Sequence, residues 1–280
     1  MKRILTALIL IPFALLVVFL WPEHPWLFTP VVAGIAALVA WEFLGLAHAS
    51  GATPPRVAVI VAILVLFAGS MIWGQGDQTV ALLGILSLAL LVYCTFTRPV
   101  EQMMADAATS VFCLIYVGMT LVTLPALREQ PNGTSLLAFL LSVVWAGDIA
   151  ALYVGRALGR HKMAIALSPN KTWEGAIGSV VGSLLATGAL LALAYLFEEK
   201  FNQAWLSFSG GAWWYWLLLA VVVNIAAQVG DLVESALKRS AGVKDSGTLL
   251  PGHGGVLDRL DALLLAAPAL WYALQIHQWF

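Results

Sequence analysis

A short segment near the C-terminal end concentrates the side chains best suited to chemistry. Between Ser235 and Asp261 lie eight ionisable side chains, interspersed with hydroxyl groups and glycines, in a chain of which only 10% is charged. Charges beside lipid-embedded helices are costly, so they are retained mainly where they serve a ligand or a partner charge. The segment is therefore predicted to bind charged ligands rather than only to connect two helices.

Three carboxylates in and before this segment have the spacing of a metal site. Asp258 and Asp261 are three residues apart, which places both on one face of a helix. Asp231 lies at the end of the preceding apolar run. Carboxylate oxygens suit Mg²⁺, which leaves much of its shell to water and substrate phosphates. We predict that these three acids bind Mg²⁺, with either one ion or a two-metal clamp on a transferring phosphoryl group.

Basic and glycine-rich elements around the acids predict phosphate binding. Gly252-His-Gly-Gly255 directly precedes the last apolar run, where backbone N–H groups and the helix dipole favour an anion. A tight turn would also need glycines, but it would not explain the neighbouring cations. We predict Lys238 and Arg239 as catalytic residues together with the three acids. The further phosphate contacts predicted here are Lys244, His253, Gly254, Gly255 and Arg259.

A second polar cluster lies upstream, between two apolar runs. Its cations Arg156, Arg160 and Lys162 also suit a role as determinants of membrane topology, and for Arg160 and Lys162 this explanation is as good as ligand binding. The sequence Ser168-Pro-Asn-Lys-Thr lies just before a predicted helix start, a favourable place for a nucleotide or lipid phosphate. The residues predicted to contact phosphate here are Asp148, Ser168, Lys171, Thr172 and Glu174.

The elements that position these residues are predicted to be membrane helices. The chain is 61% hydrophobic with a mean hydropathy of +0.91, far from the balance of a soluble domain. Apolar runs of about 17 to 25 residues predict spans, and an all-α polytopic integral membrane protein with about nine transmembrane helices is expected. The nine runs are Ile4–Trp21, Leu27–His48, Val57–Trp73, Thr79–Thr97, Ala107–Ala126, Thr134–Tyr153, Trp173–Phe197, Trp213–Val233 and Val256–Ile276.

The distribution of Lys and Arg predicts the orientation. With a cytoplasmic N-terminus and the C-terminus on the outer side, only Arg128 and Lys200 of the 14 basic residues lie outside. The acids of the later spans then all lie at the inner boundary. A transporter needs a site near the midplane, so this one-sided cluster favours chemistry with a cytosolic reagent. For Glu42 and Glu234, a structural role as a snorkelling acid or in a helix–helix hydrogen bond explains the residue as well as a role in chemistry does.

One membrane-embedded domain over residues 1–280 is predicted, with scaffold helices in 1–130 and catalytic helices and cytoplasmic loops in 131–280. A net charge of −1 and local basic clusters predict no nucleic-acid partner. Gly178-Ser-Val-Val-Gly182 predicts close helix packing, either within the chain or in a homodimer.

The segment from Ser235 to Asp261 resembles the signature of the phosphatidate cytidylyltransferases, also called CDP-diacylglycerol synthases. Upstream, Asp148, Tyr153, Gly155 and the run Ser168-Pro-Asn-Lys-Thr-Trp-Glu-Gly175 are also similar to the family. The first half resembles it only as a hydrophobic multi-span region. The matching signature positions are Ser235, Lys238, Arg239, Lys244, Asp245, Gly247, Pro251, His253, Gly254, Gly255, Asp258, Arg259 and Asp261.

The resemblance implies transfer of a cytidylyl group from CTP to phosphatidate, which yields CDP-diacylglycerol and pyrophosphate and requires Mg²⁺. The expected partners are CTP, phosphatidate and membrane lipid, with an active site facing the cytoplasm from the bacterial inner membrane. Two alternatives remain at this point. A CTP-dependent polyprenol or lipid kinase would use similar groups but release CDP, and an ion-coupled transporter would place its acids near the bilayer middle.

Overall fold

The computed structural model describes residues 12, 18, 27–74, 76–201, 206–208, 212–250, 252 and 254–277. Almost all of the first predicted span, Ile4–Trp21, lies outside the described residues. The predicted phosphate ligand His253 also lies outside them.

Long apolar helices form nearly all of the described chain. Within the described residues, seven segments have the length and composition to cross a membrane, and this confirms the predicted class of all-α polytopic membrane protein. One of these segments, Val100–Arg128, contains two α-helices and the π-helical segment Leu114–Met119. The helices are α1 Phe28–Ala49, α2 Arg56–Trp73, α3 Asp77–Thr97, α4 Val100–Cys113, α5 Thr123–Arg128, α6 Gly133–Leu158, α7 Trp173–Phe201, α8 Trp213–Ser240 and α9 Leu257–His277.

Helix α9 coincides with the ninth predicted run. Its first turns carry Asp258, Arg259 and Asp261, and it is not among the seven segments. The total of nine spans and the orientation of the termini stay predictions.

Apolar side chains fill the interior and also cover the outside of the helix assembly. Leu44, Ile63 and Leu264 are fully buried, whereas Phe96 is 84% exposed and Ile72 is 72% exposed. Soluble monomers rarely expose large contiguous apolar patches. The outer surface is therefore that of a protein that faces lipid.

A buried polar network fixes how α8 is rotated against α7. The Asn224 side-chain amide on α8 donates to Ser179 Oγ at 2.9 Å and to Ser183 Oγ at 2.8 Å, both on α7. Gln228 donates to Asn224 Oδ1 at 2.6 Å. Asp231 lies seven residues, about two helical turns, beyond Asn224 and thus on the same side of α8. The network thereby directs Asp231 toward the α7 side of the assembly.

The small residues of α7 are used within the chain. A Cβ atom on Gly178 would lie 2.6 Å from Val154 Cβ on α6, closer than real Cβ contacts. Gly182 packs in the same way against Ala150. This is the intramolecular packing that a small-xxx-small pattern predicts; a homodimer contact stays a prediction.

A short β-hairpin, which the sequence analysis did not predict, connects α6 to α7. Strand β1, Lys162–Ala164, pairs antiparallel with β2, Ser168–Thr172. Two-stranded hairpins are marginally stable alone. This one therefore depends on contacts with the helices, which bring Lys171 to the site described next.

Candidate active site

Three acids from two helices converge at the end of α8 and the start of α9. Asp231, Glu234 and Asp261 each place a carboxylate oxygen within 4.8 Å of the others. Gly230 permits this approach, because a Cβ atom there would lie 2.5 Å from the Asp261 carbonyl oxygen. We call these three residues the acid cluster.

The structure brings together Asp231 and Asp261 as predicted, with Glu234 as the third acid. Asp258 lies beside them, but its carboxylate oxygens accept hydrogen bonds from Lys238 and from the loop before α9. Its Oδ1 accepts a 2.7 Å hydrogen bond from Lys238, and its Oδ2 accepts from Ser246 N at 2.9 Å and from Gly255 N at 2.7 Å. Asp258 thus fastens the loop before α9 to α8, and its role as a metal ligand stays a prediction.

The acid cluster fits a divalent cation. Glu234 is fully buried, its Oε2 lies 2.6 Å from Lys238 Nζ, and its Oε1 has no hydrogen-bond partner among the residues that the structure describes. Lys238 also neutralises Asp258, so one ammonium group serves two buried carboxylates. Buried carboxylates require a compensating cation. The donor set is all oxygen, which is the set that Mg²⁺ prefers.

The upstream polar cluster reaches the same place. Lys171 Nζ, at the end of β2, lies 2.6 Å from Asp231 Oδ2. Asp148 lies on α6 with an exposed side chain, and its place in the same site stays a prediction. The two clusters that the sequence separates by more than fifty residues therefore form a single charged site.

Comparison with known proteins identifies the family. Residues 1–277 match the Cytidylyltransferase family. The chain belongs to this family. Relatives named phosphatidate cytidylyltransferase include one from Staphylococcus aureus, 35% identical over 247 residues that cover 86% of this chain and 87% of the relative. One from Staphylococcus haemolyticus is 38% identical over 214 residues, or 76% of this chain and 75% of the relative.

A third relative, from Brucella melitensis biotype 1, is also named phosphatidate cytidylyltransferase. It is 46% identical over 159 residues, which are 56% of this chain and 54% of the relative. The chain thus spans about half the length of this Brucella relative. The two Staphylococcus alignments extend over most of both chains.

In this cytidylyltransferase-family chain, Thr172 and Glu174 hold the hairpin. Thr172 Oγ1 accepts a 3.2 Å hydrogen bond from Gly175 N at the start of α7, as an N-cap residue does. Glu174 accepts from Arg160 N at 3.1 Å and contacts His161 Nδ1 at 2.6 Å. These contacts position Lys171; phosphate binding by Thr172, Glu174 and the half-buried Ser168 stays a prediction.

Arg239 connects the hairpin to the end of α8. Its Nε donates to the Leu167 carbonyl at 3.2 Å, and its Nη1 donates to the Val243 carbonyl at 3.2 Å. Arg239, Lys244 and Arg259 are all exposed, and Arg259 lies in the first turn of α9 between Asp258 and Asp261. Accessible cations of this kind suit phosphates, and phosphate binding by these three residues stays a prediction.

The glycines before α9 lie against the Asp258 carboxylate. Gly254 has φ +80°, and a Cβ atom there would lie 2.5 Å from Asp258 Oδ2. Glycine is favoured at this position because side chains disfavour this backbone region. Since the Gly255 N–H donates to Asp258, these glycines have a structural use, and phosphate binding by Gly254 and Gly255 stays a prediction.

Glu42, whose role the sequence left open, lies in the region of the site. It lies on α1, is only 4% exposed, and accepts hydrogen bonds from Val256 N at 3.0 Å and Leu257 N at 2.8 Å. Ser246 Oγ also donates to it, at 3.3 Å. The first N–H groups of a helix lack intrahelical acceptors, and a negative charge there is favourable. Glu42 therefore holds the start of α9, and with it Asp258 and Asp261.

We expect Glu42→Ala to lower the free energy of unfolding by about 1 to 3 kcal/mol, because buried N–H groups of α9 lose their acceptor. Thermal unfolding in detergent measures this. Glu101→Ala, which changes an exposed acid in the first turn of α4, is the matched control and should leave stability unchanged. Equal stability of the two variants would show that Glu42 does not hold α9.

Proposed function

We propose that this chain transfers the cytidylyl group of CTP to phosphatidate, forming CDP-diacylglycerol and pyrophosphate. The observation that carries the proposal is the convergence of Asp231, Glu234 and Asp261 with Lys171 and Lys238 at helix ends. Family membership and relatives named phosphatidate cytidylyltransferase support it.

The acid cluster is proposed to hold Mg²⁺, with Asp231, Glu234 and Asp261 as ligands and Asp258 as the remaining candidate, for a second ion. When bound, Mg²⁺ neutralises and orients phosphate oxygens. Lys238 keeps Glu234 and Asp258 in place through contacts of 2.6 and 2.7 Å. The chain's own contribution is thus a rigid set of acids at fixed separations.

The reaction itself requires little proton transfer. A phosphatidate phosphate oxygen attacks the α-phosphorus of CTP, a P–O bond forms, and the bond to the pyrophosphate leaving group breaks. The attacking oxygen is already anionic near neutral pH, so no general base is needed. Catalysis then consists of positioning and charge stabilisation, and we assign the charge stabilisation to the exposed Lys244, Arg239 and Arg259.

The location of the site suits two very different substrates. Asp261 lies in the second turn of α9, and Asp231 lies in the last third of α8 rather than at its centre. With the predicted topology, this part of both helices is on the side where water and lipid headgroups meet. The basic residues are concentrated on the side predicted to be cytoplasmic. We propose that CTP enters from the cytoplasm and phosphatidate from the inner leaflet of the bacterial inner membrane.

Two labels on CTP test the proposal with purified protein, phosphatidate and Mg²⁺. A label at the α-phosphate is expected to enter the lipid phase while a label at the γ-phosphate leaves as pyrophosphate, and EDTA should stop both. Transfer of the γ-label to lipid with release of CDP would instead identify a lipid kinase. Solute flux in liposomes without labelled lipid would identify a transporter.

A further inference from the structure

Tyr116 carries a buried hydroxyl group that belongs neither to the acid cluster nor to the hydrogen bonds around it. The side chain lies in the π-helical segment Leu114–Met119 and is only 4% exposed. Its hydroxyl has no hydrogen-bond partner within the described part of the chain. A buried hydroxyl without a partner is costly, and native structures contain few such groups. A group of this kind therefore points to a ligand or a function.

The ring of Tyr116 is held in place by two neighbours. It stacks on Phe112 with ring centroids 5.5 Å apart, and its centroid lies 5.9 Å from that of Phe43. Phe43 directly follows Glu42, the residue that holds the start of α9. A π-helical segment inserts an extra residue into a helix and is frequent at functional sites. The direction of the hydroxyl is thus set by local geometry rather than by a freely rotating side chain.

The aromatic neighbours of Tyr116 reach the part of α8 that carries Glu234. Phe43 and Phe112 line one small cavity together with Leu237 of α8, and Glu234 lies three residues, about one helical turn, before Leu237. Glu234 is also the member of the acid cluster with a buried Oε1 that has no donor among the described residues. Within the part of the chain that the structure describes, a buried donor and a buried acceptor, each without a hydrogen-bond partner, thus lie in one region of the molecule.

We propose that Tyr116 is a positioning residue of the acid cluster, whose hydroxyl donates a hydrogen bond to Glu234 when the cluster holds its divalent cation. The inference rests on the metal-binding role assigned under the proposed function. A carboxylate ligand oriented by a hydrogen bond is a better ligand, because less of its motion is lost on binding. Tyr116 comes from the predicted scaffold half, so the first half of the chain would tune the metal site directly.

Binding of Mn²⁺ alone, followed by the electron paramagnetic resonance signal of the free ion, tests this without nucleotide or lipid. Tyr116→Phe is expected to bind Mn²⁺ about tenfold more weakly, the usual effect of removing a group that orients a metal ligand. Its unfolding temperature in EDTA should be unchanged or higher, because a buried hydroxyl without a partner is removed. Tyr93→Phe, at a 46% exposed position on α3, is the matched control and should bind like the wild type.

The outcomes separate cleanly. Wild-type affinity in Tyr116→Phe overturns the inference, and so does a lower unfolding temperature in EDTA, because the hydroxyl would then make an ordinary structural hydrogen bond. Tyr116→Met, which also lacks the hydroxyl, gives the same comparison if the Phe variant cannot be purified. If the wild type binds no Mn²⁺, the positioning role of Tyr116 is also wrong.

The same measurements distinguish this inference from the proposed reaction. If Tyr116→Phe binds Mn²⁺ more weakly but the wild-type protein does not label phosphatidate, the role of Tyr116 stands and the proposed reaction is wrong. If the wild-type protein labels phosphatidate but both tyrosine variants bind Mn²⁺ equally well, the proposed reaction stands and the role of Tyr116 is wrong.

Discussion

Asp261→Asn is expected to lower cytidylyl transfer by about a thousandfold while thermal stability in EDTA stays at the wild-type value. The loss corresponds to about 4 kcal/mol of transition-state stabilisation from a displaced metal ion. Stability should persist because the one hydrogen bond that the structure gives the Asp261 side chain, within the described residues, is to its neighbour Ala262 N, at 2.8 Å. Initial rates with α-labelled CTP and thermal unfolding provide the two readouts.

Asp258→Asn is the informative comparison for that experiment. Asp258 accepts hydrogen bonds from Lys238, Ser246 and Gly255, and an amide in its place would direct donor hydrogens at some of these donors. We therefore expect this variant to lose stability as well as activity. Full stability with lost activity would place Asp258 among the metal ligands, as the sequence predicted, and would weaken the assignment of Glu234.

Lys238→Met should lower the free energy of unfolding by about 3 to 5 kcal/mol, because two buried carboxylates lose their shared cation. The side chains of Glu234 and Asp258 are 0% and 6% exposed, so water cannot replace the ammonium group easily. Thermal unfolding in EDTA measures the loss. Saturating Mg²⁺ should restore part of it by neutralising Glu234.

The matched control for Lys238→Met is Lys162→Met, at an exposed position on β1. It removes the same charge without uncovering a buried acid, so its stability should match the wild type. A Lys238→Met variant as stable as this control would mean that Glu234 and Asp258 do not depend on Lys238 for compensation.

Residues from the first half of the chain contact the region of the site. Glu42 accepts a hydrogen bond from Val256 N across 214 residues of sequence, and the ring of Tyr116 packs against Phe43, the neighbour of Glu42. The predicted division into a scaffold part, 1–130, and a catalytic part, 131–280, stays a prediction. Residues from the first part nevertheless support the start of α9, where the site is built.

The class of protein and the place of its chemistry could be predicted from the sequence because both are local properties. A run of about 20 apolar residues is long enough to cross a bilayer whatever surrounds it. The segment from Ser235 to Asp261 contains its acids, cations and glycines within one stretch of chain. The family resemblance that it carries agrees with the match over residues 1–277.

Only the tertiary structure decided which acids meet. A separation of three residues places Asp258 and Asp261 on one helix face, but it does not say how α9 is rotated against α8. The close approach at Gly230 sets that rotation, so that Asp261 joins Asp231 and Glu234 while Asp258 binds Lys238. Glu42 and Tyr116 carry no local signal, because contacts between residues that are distant in sequence exist only once the helices have packed.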